Sequence, residues 1–190
     1  MKLNPATTAL ITLDLQHGIV NFAPESAAVI AVAAKTVTTA RANGYKIIHV
    51  GLGFLPGHPE ISAANSRFTM IKQNNLFVKG SDSAQFYPSI LAHDDIILYK
   101  HRFSAFAGNS LQMILQANSI EHLVLLGIST SGIVLSTLRQ AFDLDFKCTV
   151  IKDACYDHDE EVHRVLTEKV FSGQAAVITG EQFEQSFREE

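Results

Sequence analysis

Two ionisable residues and one glycine-bounded loop stand where apolar runs of the chain end. Ala9–Leu13 ends in Asp14, Ile96–Tyr99 ends in Lys100 followed by His101 and Arg102, and Leu123–Leu126 runs into Gly127-Ile128-Ser129-Thr130-Ser131-Gly132 before a helical stretch. A carboxylate that shuttles a proton, an ammonium that holds it ionised and helix amides that receive an oxyanion would together make a hydrolytic centre. The same two charged residues could equally form a structural ion pair.

For these residues to meet, the runs that carry them must lie side by side. Six apolar runs, the three above with Ile47–Leu52, Cys148–Ile151 and Ala175–Ile178, are short and mostly continuous, the pattern of strands buried on both faces. Between most of them lie segments with apolar residues at helical spacing: Ser26–Ala42, Asn109–Asn118, Ser131–Asp145 and Asp159–Val170. Strand and helix in alternation predict an α/β/α sandwich of three layers on a mostly parallel, Rossmann-like sheet. In such sheets ligands bind outside the carboxyl ends of the strands, where Asp14, Lys100 and the glycine-bounded loop fall. The interval Gly53–Asp95 breaks the alternation, is rich in Pro, Gly, Asn and Ser, and is expected to roof the site.

Composition narrows the function. The 190 residues are 47% hydrophobic and 18% charged with a formal net charge of −4, which fits one globular domain over 1–190. Lys and Arg are scattered without a run, against a nucleic-acid partner. No apolar stretch reaches the roughly 18 residues of a membrane span, and the opening Met-Lys-Leu-Asn-Pro has no apolar core, so a cytoplasmic location is expected. The two cysteines, Cys148 and Cys155, are too few for a disulfide scaffold or a structural zinc. Gly51-Leu52-Gly53 lacks the third glycine of a dinucleotide fingerprint, and no cofactor is expected.

Three segments, Leu10-Ile11-Thr12-Leu13-Asp14-Leu15-Gln16, Tyr99-Lys100-His101-Arg102-Phe103-Ser104-Ala105-Phe106 and Leu126-Gly127-Ile128-Ser129-Thr130-Ser131-Gly132-Ile133-Val134, resemble the isochorismatase-like hydrolases in order and spacing. The resemblance implies a six-stranded sheet, a homodimer or homotetramer, a small-molecule substrate, and an Asp–Lys–Cys constellation in which Asp14 and Lys100 fill the first two places. It also implies a non-proline cis peptide at Ile128–Ser129. The nucleophile pattern Gly-x-x-Thr-x-x-Cys-Val, laid over Gly127 and Thr130, puts Ile133 where the cysteine stands. Isoleucine offers neither lone pair nor proton, so four readings stay open. A hydroxyl of Ser129, Thr130 or Ser131 could be the nucleophile, or Cys155 could supply the thiol. Water could attack while Asp14 acts as acid, as the resemblance to true isochorismatases suggests, or the chain could bind a small molecule without chemistry.

Around that centre, Gln16 lies two residues after Asp14 and would point the same way on a continued strand, giving a ligand contact. Phe22, Phe54, Phe103 and Phe106 are candidates for an apolar wall, with Ser129, Thr130 and Ser131 beside them. Arg67 and Arg102 could receive an anion bidentately. Related nicotinamidases hold a metal after the second strand, but His58 and Glu60 make no ligand set there, so no metal is expected. His17, His49 and His163 are expected to bond locally or face water. The helical stretch Ser131–Asp145, apolar at its start with Gly132, Ile133 and Val134, could pack at a subunit interface as well as against the sheet.

Overall fold

Six parallel strands lie in the order β3-β2-β1-β4-β5-β6 in this computed structural model, which describes residues 3–22 and 24–188. The sequence also predicts fraying of the acidic end Glu189-Glu190, which lies outside the described residues. β1 (Thr8–Leu13) and β4 (His122–Ile128) form the centre and are buried at every residue, as their unbroken apolar runs require. β2 (Lys46–Leu52) and β3 (Ile96–Lys100) extend the sheet to one side, β5 (Lys147–Tyr156) and β6 (Ala176–Ile178) to the other. The chain leaves β1 toward β2 and returns through β4, so the topological switch lies between β1 and β4.

Helices flank the sheet and complete the sandwich. α1 is a single turn (His17–Val20), and α2 (Ala27–Ala42) turns Val29, Ile30, Ala33, Val37 and Ala40 into the core and ends beside Asn43 and Gly44, which has φ 78°. α4 (Leu111–Ala117) buries Leu111 and Leu115, and α7 (Gly180–Gln185) begins with a reciprocal Thr179–Gln182 capping box. α5 (Leu135–Asp143) and α6 (Glu160–Val165) are shorter than their periodicity predicts, because Thr130–Val134 and Leu166–Val170 adopt widened, π-type turns beside them. β5 is longer than predicted: beyond the polar Lys152 and Asp153 it resumes pairing with β4 after an irregularity in register, matching Gly127 to Cys155 and Ile128 to Tyr156.

The Gly53–Asp95 interval is not structureless. It holds α3 (Ser66–Gln73), whose first turn is capped by Asn65 Oδ1 accepting from the Phe68 N–H, and two short 3₁₀ turns. Beneath it Leu52, Phe54, Ile61, Phe68 and Phe77 pack as a second core, separate from the cluster that covers the sheet. Each such side chain contributes about 1.5–3 kcal/mol by leaving water, so this roof has its own apolar anchor. Among the described residues no helix is long and apolar enough to cross a membrane.

Candidate active site

Asp14 and Lys100 meet at the carboxyl edge of the sheet. Asp14 turns the chain out of β1 with φ 55°, its N–H donating to the Val50 carbonyl at 2.9 Å. Lys100 ends β3 opposite Leu52, and its long side chain crosses β2 to place Nζ 3.0 Å from Asp14 Oδ2. The same Nζ donates to the Arg102 carbonyl at 3.0 Å. Both residues are almost fully buried, Asp14 at 5% exposure and Lys100 at 1%. Burial pushes the Asp14 carboxyl above its ordinary range, an effect that the charge and hydrogen bond of Lys100 only partly offset. Burial likewise pushes Lys100 down, against the pull of Asp14. The second carboxyl oxygen, Asp14 Oδ1, is buried with no hydrogen-bond partner.

The loop after β4 forms the neighbouring wall. Gly127, at φ 149°, lies so close to β1 that a Cβ there would stand 2.0 Å from the Leu13 carbonyl oxygen. The Ile128–Ser129 peptide is cis. Downstream the loop is clamped from β5 and α6: the Ser131 N–H donates to Asp157 Oδ2 at 2.7 Å, and Thr130 Oγ1 hydrogen-bonds with His163 Nδ1 at 2.8 Å. The Gly132 N–H donates to the Ser129 carbonyl at 3.2 Å. Asp157 and His163 were not singled out as site residues by sequence reasoning, since nothing in their spacing ties them to a loop some 30 residues earlier.

A cavity of about 670 Å³ opens over these groups, lined by Asp14, Lys100, Ile128, Ser129 and Ile133 on the sheet side. α3 and the segment after it supply the opposite side, with Arg67, Phe68, Met70, Ile71, Leu76 and Phe77, as expected of a roof. Phe22 and Phe103 also line it, both well exposed. Sequence reasoning missed Met70, Ile71 and Asn74, although their i, i+3, i+4 and i+7 spacing from Arg67 marks one helix face; it also missed His158.

Several expected contacts fall elsewhere. Gln16 does not point with Asp14, because the left-handed turn at Asp14 ends the strand; its side chain is fully buried, donating to the Leu52 and Ala84 carbonyls and accepting from the Leu52 N–H. Gly51 makes room for it, since a Cβ there would meet Gln16 Cδ at 2.5 Å. Phe106 is buried and stacks on Phe146 away from the cavity. Thr130 is fully buried, and neither Thr130 nor Ser131 lines the cavity, so of the three hydroxyl residues only Ser129 does. Phe54 sits in the second core. Arg102 spends its guanidinium on the His101 and Glu60 carbonyls.

Neither cysteine reaches the cavity. Cys148 and Cys155 are both buried, and burial pushes each thiol up to about 12, which leaves no thiolate at neutral pH. Ile133 and Val134 are buried within the chain itself. His58 Nε2 is bonded to the Leu76 carbonyl and Glu60 Oε1 accepts from the Leu55 N–H. Among the described residues no three His, Cys, Asp or Glu side chains gather as metal ligands. His17 bonds Asp82, His49 bonds Thr12 and Asp95, and His163 bonds Thr130, local bonding as expected.

Residues 8–182 match the model of the isochorismatase domain family. Among solved structures, the chain is 26% identical to an isochorismatase family protein from Burkholderia thailandensis, with a TM-score of 0.83 over 99% of this chain and 98% of that one. It is 25% identical to N-carbamoylsarcosine amidase from Thermoplasma acidophilum, TM-score 0.77, covering 95% and 98%. A cysteine hydrolase from Pseudomonas syringae pv. phaseolicola shares the fold at TM-score 0.87 and 17% identity, covering 99% and 95%.

Proposed function

The chain belongs to the isochorismatase family of hydrolases, and from that premise we propose that residues 1–190 act as one domain that hydrolyses a small molecule by water attack, with Asp14 as the proton carrier. The observation that carries this reading is the division of labour within one carboxyl group: Oδ2 is held by Lys100, while Oδ1 is buried and unpartnered on a residue of the cavity wall. A carboxyl raised by burial keeps its proton to higher pH than a solvated one and can give it to substrate.

On a vinyl ether, Asp14 would deliver its proton to the enol carbon, leaving an oxocarbenium ion. Water then adds to the neighbouring oxygen-bearing carbon, where the positive charge lies, and gives its proton back to the carboxylate, and the hemiketal collapses to a carbonyl compound and an alcohol. Lys100 orients Asp14 and compensates its charge in the ionised half of the cycle. No covalent enzyme intermediate is needed, which agrees with Ile133 at the family's cysteine position and with two thiols buried away from the cavity. The amides of Ser131 and Gly132 are already committed, so any oxyanion donation from the Ser129–Ile133 loop falls to Ser129, Thr130 and Ile133. A cytoplasmic homodimer or homotetramer is the form in which we expect it to work.

The test is a panel of vinyl ethers and amides turned over by the wild type and by Asp14→Asn. Turnover of the accepted substrate should fall by about 10²–10⁴ in the variant, with intact mass showing no acyl adduct on the wild type. Undiminished turnover by Asp14→Asn would sink the mechanism. The second reading, a binder without chemistry, draws on Ile133 alone and is defeated by any turnover that Asp14→Asn abolishes.

A further inference from the structure

The cavity has a charge ledger of its own. Among the described residues Asp14 is its one carboxyl group and is paired with Lys100 at 3.0 Å, which leaves Arg67 as the unpaired permanent cation of the lining, with His158 the other titratable group. Among the described residues Arg67 enters no ion pair and no side-chain hydrogen bond, and its guanidinium lies on an exposed residue. The nearby Arg102 cannot share the task, because the His101 and Glu60 carbonyls hold it and it lies over the Phe68 ring. A chain of net charge −4 thus carries an uncompensated guanidinium on the wall of this cavity.

The rest of the lining is apolar and aromatic. On α3 one face runs Arg67, Met70, Ile71, Asn74, so the cation begins a wall that continues as hydrocarbon. Phe22, Phe68, Phe77 and Phe103 supply rings from three segments of the chain, a lining suited to a flat or hydrocarbon body. Resting on the reading of this cavity as the substrate site, we propose that its ligand is an amphipathic monoanion, an apolar body bearing one carboxylate that Arg67 receives. Guanidinium and carboxylate match as two parallel N–H···O bonds, and one cation compensates one charge. A phosphate ester, with a charge of about −1.5 to −2 near neutral pH, would ask for donors that this wall lacks.

Calorimetric titration with 3-phenylpropionate, 3-phenylpropan-1-ol, acetate and phenyl phosphate tests the assignment without requiring turnover. The wild type should bind 3-phenylpropionate about tenfold more tightly than the alcohol, and acetate more weakly than either. Arg67→Gln should remove the preference by weakening the carboxylate while leaving the alcohol unchanged, and Arg67→Lys should keep part of it. Met70→Glu, one helical turn along on an exposed position, should reverse it. Equal affinity for acid and alcohol, an equal effect of Arg67→Gln on both, tighter binding of phenyl phosphate, or no binding of 3-phenylpropionate would each overturn the proposal. Because these are binding measurements, retained turnover in Asp14→Asn would fail the water-attack mechanism and leave this site standing.

Discussion

Two buried carboxyl groups, Asp14 after the carboxyl end of β1 and Asp95 before the amino end of β3, have cationic partners, and they differ in how many donors each receives. Asp95, just before β3, accepts from Arg41 Nη2 at 2.6 Å, His49 Nε2 at 3.0 Å and the Ala92 N–H at 2.7 Å on one oxygen, and from Arg41 Nε at 3.3 Å on the other. His49 in turn uses Nδ1 on Thr12 Oγ1 at 2.7 Å, so both ring nitrogens are occupied. Burial alone would raise the Asp95 carboxyl, but the hydrogen bonds from Arg41, His49 and Ala92 outweigh it and hold it below the usual range. At Asp14 the Lys100 charge and hydrogen bond, with a smaller backbone contribution from Leu52, do not offset burial, and its carboxyl is pushed up. A saturated carboxylate has nothing left to offer a ligand, whereas an unsaturated one at a cavity wall has an open acceptor and holds its proton more tightly than a solvated carboxyl.

The largest effect should come from breaking the sparse pair. Lys100→Met leaves the Asp14 carboxylate buried without a counter-charge and should cost about 3–5 kcal/mol at neutral pH, read by denaturant unfolding. A carboxyl whose folded pKa lies above its unfolded value binds its proton more tightly when folded, so the penalty should shrink as pH falls toward the ordinary value of 3.8. The double variant Asp14→Asn, Lys100→Met should recover more than half of the loss. If the double variant is as unstable as Lys100→Met alone, uncompensated charge is not what makes this pair special.

The saturated site should respond in the opposite sense. Asp95→Asn keeps one acceptor but removes the charge that Arg41 and His49 face, and should cost about 2 kcal/mol at pH 7. Because the Asp95 carboxyl is depressed in the folded state, its contribution is fully present above the ordinary 3.8 and is lost as pH falls below it, so variant and wild type should converge in acid. Turnover per folded molecule should be unchanged. A shifted pH profile of turnover in Asp95→Asn would mean that the two carboxylates are coupled, and the contrast between them would fail.

The sequence made one of these sites legible and hid the other for a physical reason. Asp14, Lys100 and the loop from Gly127 follow apolar runs, and strand ends in a parallel sheet converge on one edge, so position along the chain translates into proximity. The runs themselves located all six strands, with β5 cut short because Lys152 and Asp153 interrupt its apolar signal while its backbone continues to pair. Gln16 was misplaced because two-residue alternation presumes an extended backbone, and the left-handed turn at Asp14 ends it. Arg41, His49 and Asp95 are brought together by tertiary packing across three elements, and neither spacing nor periodicity encodes that. The helix α3 was hidden among Asn, Ser and Gly of its flanks, so the face that carries Arg67 became visible only in the fold.

The smallest expected change tests whether the sparse site favours an anion at position 133, where the sequence resemblance puts the family's cysteine. Ile133 is 2% exposed and lines the cavity within the widened turn that opens into α5. Ile133→Cys removes about two methyl groups from a well-packed wall and should cost about 1 kcal/mol, less than either carboxylate variant. Its informative readout is chemical. The native thiols are pushed up to about 12 and should resist iodoacetamide in the folded protein at pH 8, so a single labelled site would report the introduced thiol. On a cavity wall shared with the Lys100 ammonium and within the amides of the turn, that thiol should titrate below the ordinary value of about 8.5, and its labelling rate should rise with pH through that lower midpoint. A midpoint above 8.5 would mean that burial outweighs those groups there as it does at Asp14. Lys100 would then be a partner to Asp14 alone, with no field left over for a second anion.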